Sequence, residues 1–381
     1  MSRVRQLVDH GCGCRVRPPT RRKQRGVSLI ELMVAVTLGL IMVAGIGSVY
    51  LGTQQAYRTQ TAQSIVQENG RFAIERLGRD IRQAGFFGCL KGLQPEDPRS
   101  NGILENGFIR NTLAPAPPAS PAFDIDMGTP IVGYNGNGAS WDPALPADTG
   151  LIVDADPNSD VIVMSRASGF GTVVTHHPGG NPPGSADIQV PPGSGIQPGH
   201  LLVVSDCRSA SIFQVTAGNP NTSGSIPHST GGSSQPGNWT RALGRNFVGA
   251  EVFAAERIAF YVAPGQVRGL SLYRAQTAVN AAEELEPIIQ EVVENVERMQ
   301  IRYGEDLNGD RAADEYRAAN DVSVWDNVVS VRVSLLVSNG EMQNVVDDPQ
   351  TLILDGEIFD AQDRRLYQVF TTTIGLRNRL D

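Results

Sequence analysis

Apolar and polar positions alternate along this chain in three different ways. From Val27 to Leu51 the run VSLIELMVAVTLGLIMVAGIGSVYL carries one charge, Glu31, and no charge follows from Leu32 through Tyr57. As a helix rising 1.5 Å per residue, that run is long enough to cross a hydrocarbon core of roughly 30 Å. No proline stands between Pro19 and Pro95, so the helix is free to continue. It then turns amphipathic: Val66, Ala73, Leu77, Ile81 and Ala84 recur at helical spacing, with Ile65 and Phe72 alongside. Glu68, Arg71, Glu75, Arg79 and Asp80 fall elsewhere on the helix. The stripe predicts that a globular domain packs on the second half of one long helix, with Gly85 and Gly88 as its stop signals.

After residue 95 the helical period disappears. Loops rich in Pro, Ala and Gly (114–122, 176–200, 218–238) separate short β-type runs. The predicted strands are Val161–Arg166, Leu201–Ser205, Ser211–Val215, Ile258–Val262, Leu270–Arg274, Met299–Tyr303, Val328–Val337 and Tyr367–Leu376. Val331, Val333, Leu335 and Val337 alternate with Arg332, Ser334 and Leu336, which predicts a strand buried largely on one face. Glu283–Glu297 fits either a short helix or an extended segment. The fold class that follows is α+β, one long N-terminal helix packed on antiparallel sheet in an enlarged, loop-rich C-terminal domain.

Charge sharpens the picture of the N-terminus. Residues 1–26 hold Arg3, Arg5, Arg15, Arg17, Arg21, Arg22, Lys23 and Arg25 against a single acid, Asp9, whereas the whole chain has a net charge of −8. The acidic remainder argues against nucleic-acid binding. A basic flank before an apolar helix predicts a cytoplasmic N-terminus and export of everything that follows. Glu31 is costly inside an apolar helix, which makes it a functional candidate.

The segment Arg25-Gly26-Val27-Ser28-Leu29-Ile30-Glu31-Leu32-Met33 resembles the type III signal of type IV prepilins and pseudopilins. That resemblance implies cleavage between Gly26 and Val27 by a prepilin peptidase, with methylation of the new N-terminus. Where the family usually begins Phe-Thr, this chain has Val27 and Ser28. Glu31 is then expected to meet the freed amine of a neighbouring subunit's Val27 during assembly. Small residues at Ala35/Gly39 and Ala44/Ser48 would let neighbouring helices approach; the ordinary composition of a membrane helix is the alternative reading. The runs at 80–89, Val204–Cys207, Ser211–Val215, 295–304 and 376–379 resemble PilW-type minor pilins.

The resemblance implies four regions: a cleaved basic leader (1–26), a transmembrane and assembly helix (27–57), its amphipathic continuation (58–86), and a β-rich periplasmic or extracellular domain (87–381). It implies a minor pilin that primes or caps a type IV pilus serving motility, attachment or DNA uptake. The expected partners are the prepilin peptidase, other minor pilins, the major pilin, the inner-membrane assembly platform and, before assembly, inner-membrane lipid. A minor pseudopilin of a type II secretion system is the alternative, and a tethered adhesin, which has no need of Glu31, is a third reading. Cys12 and Cys14 fall in the leader. Cys89 and Cys207 remain on the exported side, where disulfides persist, and a bridge between them would close a loop worth roughly 4–5 kcal/mol by chain entropy. Two buried free thiols are the other outcome.

Enzyme motifs are missing, and His176 and His177 read as surface residues of a Gly/Pro loop. No cofactor is expected beyond one candidate. Asp306, Asn308, Asp310 and Asp314 resemble the first half of a calcium loop, but Arg311 stands where a glycine belongs and Arg317 where a bidentate glutamate belongs. A solvated polar turn is the preferred reading.

Overall fold

The computed structural model describes residues 26–89, 94–95, 103–115, 123–147, 149–180, 184–230, 234–280, 282–340 and 342–380. Helix α1 runs from Leu29 to Arg82 without a break. Residues up to Tyr57 form one unit of the chain and Arg58–Asp381 the other. The α1 segment before Tyr57 leaves its apolar side chains exposed, from Leu29 and Ile30 to Tyr50 and Leu51. It is long and apolar enough to cross a membrane.

In chain order the strands of the second unit begin with β1 (Gln94–Pro95), β2 (Phe108–Asn111), β3 (Ile131–Gly136), β4 (Trp141–Asp142), β5 (Val161–Val173) and β6 (Asp187–Gln189). Then come β7 (Leu201–Ser205), β8 (Ala210–Gln214), β9 (Ser225–Pro227), β10 (Glu251–Pro264), β11 (Leu270–Gln276) and β12 (Ile288–Glu294). The last are β13 (Val296–Glu305), β14 (Glu315–Arg317), β15 (Val328–Ser338), β16 (Thr351–Leu354), β17 (Glu357–Asp360) and β18 (Tyr367–Gly375). The larger sheet orders β1-β2-β8-β7-β10-β5-β3-β4, with β11 on β10 and β12 on β11; the second orders β14-β13-β15-β18. Their ladders are antiparallel except β1–β2 and β2–β8. β6–β9 and β16–β17 stand as two-stranded pairs. The segment that fitted helix or strand is therefore the strand β12.

The stripe on α1 does what its spacing predicts. Val66, Ala73, Leu77, Ile81 and Ala84 are at most 1 % exposed and share one core with Ile162, Met164, Ile258, Phe260 and Val262 of the larger sheet and Val331, Val333, Leu335 and Ile374 of the second. Full burial of each Val, Leu or Ile contributes about 1.5–3 kcal/mol. Gly70 lets helix and sheet meet, because the Phe370 ring occupies the place where a Cβ would stand. The helix stops at residues in the left-handed region, Gly85 (φ +72°) and Gly88 (φ +85°), which a side chain would strain.

Three details differ from the pattern reading. Phe72 is half exposed and stands off the stripe. Asp80, set off the apolar stripe by its charge, is nonetheless buried, between Arg166 (2.9 Å) and Arg274 (2.7 Å). β15 is covered on both faces: Leu336 packs with Leu354, Ala361 and Tyr367 on the side of the β16–β17 hairpin, and Ser334 bonds Thr371. Alternation foresaw one face because a hairpin that packs on the other lies too far along the chain to show locally.

Candidate processing and assembly site

Gly26, Val27 and Ser28 precede α1 in extended chain, and all three are exposed. Ser28 caps the helix. Its hydroxyl accepts from the Glu31 amide (3.2 Å), while the Glu31 carboxylate accepts from the Ser28 amide (3.1 Å) and hydroxyl (3.2 Å). The first helical bond, Leu32 N–H to the Ser28 carbonyl, closes at 3.1 Å. Ser-x-x-Glu is thus a reciprocal capping box, which satisfies amide donors that a helix start leaves free. An acid there also complements the positive end of the helix. Glu31 thus has a second role beside that of a charge in an apolar helix, one whose sequence signature is the Ser-x-x-Glu spacing.

Among the described residues, no contact demands a glycine at position 26. A Cβ built there meets no atom within 4 Å, and the same holds for Gly39, Gly45, Gly47 and Gly52 inside α1. An exposed glycine within a helix costs roughly 1 kcal/mol relative to alanine. The fold of this subunit offers no compensating contact for that cost.

At the far end of the helix, Cys89 is disulfide-bonded to Cys207, which lies 118 residues further on, with the Cα atoms 5.0 Å apart. Cys207 occupies the turn between β7 and β8 with φ +63°, where Asp206 accepts from the Arg208 and Ser209 amides. Cys12 and Cys14 lie outside the described residues.

The Asp306–Asp314 segment folds onto itself. Asp306 accepts from the amides of Asn308 (3.1 Å), Gly309 (2.6 Å) and Arg311 (2.8 Å). Desolvation pushes its carboxyl up, but these amides outweigh it and hold the group below the ordinary range. Asp314 accepts from Leu307 N–H and the Asn308 side chain, and Asp310 from Ala312 N–H. The oxygens that would face an ion are turned to the loop's own donors. Among the described residues no group of three or more His, Cys, Asp or Glu side chains is disposed to hold a metal ion. Arg311, where a glycine was looked for, adopts φ +67°.

His177 corrects another expectation. His176 is exposed, but His177 is 4 % exposed and stacks on Phe247 at 6.4 Å. A loop rich in Gly and Pro gave no sign that it covers an apolar cluster.

A family model described as type IV pilus-assembly protein W matches residues 259–378, and one described as the prokaryotic N-terminal methylation motif matches residues 21–47. Together they support a type IV pilus minor pilin of the PilW type. No curated protein and no solved structure matches the chain. The PilW match runs from within β10 through β18, the part of the domain that supplies Val262, Met299, Val331, Val333 and Ile374 to the core beneath α1. The Cys89–Cys207 disulfide, the β6–β9 pair and the histidine loop all lie outside that span. An apolar N-terminal helix with a pilin motif fits an inner-membrane-anchored pilin.

Proposed function

We propose that a prepilin peptidase cuts this chain between Gly26 and Val27, and that the mature subunit primes or caps assembly of a type IV pilus. The observation that carries the reading is the head of α1, where one acid caps its own helix beneath an apolar surface the rest of the unit leaves open. Residues 1–26 are the leader and 27–57 the membrane and assembly helix. Residues 58–86 continue that helix into the exported domain, 87–381. The basic flank sets the N-terminus in the cytoplasm. Lipid covers the helix first, and other minor pilins and the major pilin cover it in the fibre, after extraction by the assembly platform. Helical glycines without an internal contact favour such close neighbours. The PilW match favours a pilus over a secretion pseudopilus. The role is structural rather than catalytic, in motility, attachment or DNA uptake. It calls for no cofactor, and the Asp306 loop is read as a turn.

In assembly, the Val27 amine freed by cleavage on one subunit meets Glu31 of its neighbour. Glu31→Gln tests this cleanly, because glutamine also serves in a capping box and the helix start is kept. The variant should be cut and inserted normally. Its abundance in sheared fibres relative to membranes should fall by more than tenfold, given about 3–5 kcal/mol for stranding one member of a buried pair. Ser28→Ala removes the cap, keeps the charge, and should still enter fibres. Normal incorporation of Glu31→Gln would refute the docking mechanism.

A further inference from the structure

Two histidines in the exported domain have no part in that reading. His177 and His228 are 4 % and 0 % exposed, in a layer formed by described residues of 174–199 and 216–250 over β7 and β8. Their rings lie against Phe247 and Phe213, the latter 5.1 Å from His228, within a cluster that includes Ile188, Val190 and Ile226.

Hydrogen bonds set whether Nδ1 of each ring carries a proton. Phe247 N–H donates to His177 Nδ1 at 3.1 Å, so that nitrogen is a lone pair. His228 Nδ1 lies 3.2 Å from the Ile226 carbonyl and must carry the proton. Its Nε2 is buried and makes no hydrogen bond of ordinary geometry among the described residues. A proton added to His177 displaces the Phe247 amide; one added to His228 places a charge against an apolar cluster, where the Arg241 backbone and Asp187 offset only part of its desolvation.

The ionisable groups facing the pair do not reverse this. His228 and His176 oppose a charge on His177, and Asp187, itself bonded to Ser225, favours one on His228, as does the nearby Arg241 backbone. Burial outweighs them: it lowers His177 to about 4 and lowers His228 as well.

We propose that this layer is an acid-opened element, released by proton uptake at His177 and His228 while α1 and the second sheet stay folded. An opened histidine binds protons below its ordinary value of about 6.5, whereas the closed one does not until lower pH. The closed layer is therefore most stable above that value and weakens as pH falls. Each imidazole raises the opening constant about tenfold per pH unit until its folded value is reached.

The test is amide hydrogen exchange of the full chain in detergent micelles at about pH 7 and about pH 5, corrected for intrinsic rates. Opening at the Phe247, His228 and Val190 amides should rise about a hundredfold or more, while Val331 and Leu335 of β15 change less than about threefold. The double variant His177→Asn/His228→Asn keeps a short acceptor and donor without a titrating ring, and should lose the response. An unchanged acid response in that variant, or equal loosening of β15, overturns the proposal. Imidazole proton NMR of the unmodified chain is an independent check. There His177 titrating near 6.5 would overturn the proposal, and delayed titration together with layer opening would support it.

Discussion

Asp80→Asn should loosen the seat of α1 more than any single change on the helix surface. The substitution keeps the shape of the side chain and removes its charge. In the folded chain Asp80 Oδ2 accepts from Arg274 Nε at 2.7 Å and Oδ1 from Arg166 Nη1 at 2.9 Å, with its side chain 2 % exposed. Arg166 would retain Glu256 at 2.9 Å, so its charge stays matched. Arg274, 6 % exposed, would be left with the neutral Gln276 side chain at 2.7 Å. Two charges about 4 Å apart interact by about 4 kcal/mol at an effective dielectric of 20. Removing one member of a buried pair costs about 3–5 kcal/mol. For a domain of this size that corresponds to a midpoint lowered by about 4–8 °C. Urea unfolding of the full chain in detergent, followed by tryptophan fluorescence, measures the loss. Asp80→Leu combined with Arg274→Met should recover most of it, since an apolar pair of similar volume leaves no stranded charge. A loss below about 1 kcal/mol for Asp80→Asn, or a double variant no better than the single one, would refute the assignment of Asp80 as the polar anchor of the helix.

Gly26→Val should leave an uncut precursor that retains residues 1–26, seen as intact mass after membrane extraction. Because the space around Gly26 is open, its circular dichroism should match the parent's, and a correctly shortened product would show the cut is misplaced. Gly70→Ala should cost about 1–2 kcal/mol, overpacking against Phe370 outweighing the helix preference of alanine. In a Phe370→Ala background the same substitution should become neutral or stabilising, and a gain in stability with Phe370 present would contradict the packing described.

Elements whose signal is periodic and local were legible in the sequence. The α1 stripe, β7 and the start of β5 fall where spacing places them, since a repeating apolar face has one geometric solution. β3 escaped notice because Ile131–Gly136 mixes two glycines with a tyrosine and an asparagine, and its apolar signal is two residues long. The burial of Asp80 was not legible, for a different reason. Its partners lie 86 and 194 residues away, and helical periodicity says nothing about cations brought in by β5 and β11. His177 is similar, buried by residues up to Phe247 that no window around it contains. In the candidate site, charge in an apolar run singled out Glu31, whereas the reciprocal bonds with Ser28, three residues earlier, came to light only in the structure.

The bridge from Cys89 to Cys207 also decides how the molecule would bear tension. A pull on α1 reaches Cys89 seven residues after the helix ends, and there the load divides. The covalent branch passes it straight to the β7–β8 turn, so β2, β3 and β5, all within the 118-residue span, are shielded from the stretching force. With the bridge closed, that span adds no length on extension; once reduced, it releases about 400 Å of contour at 3.3–3.6 Å per residue. A subunit at the end of a retracting filament would then behave as a short tether with a hidden reserve, and its compliance would be set by redox chemistry rather than by the strength of its sheets.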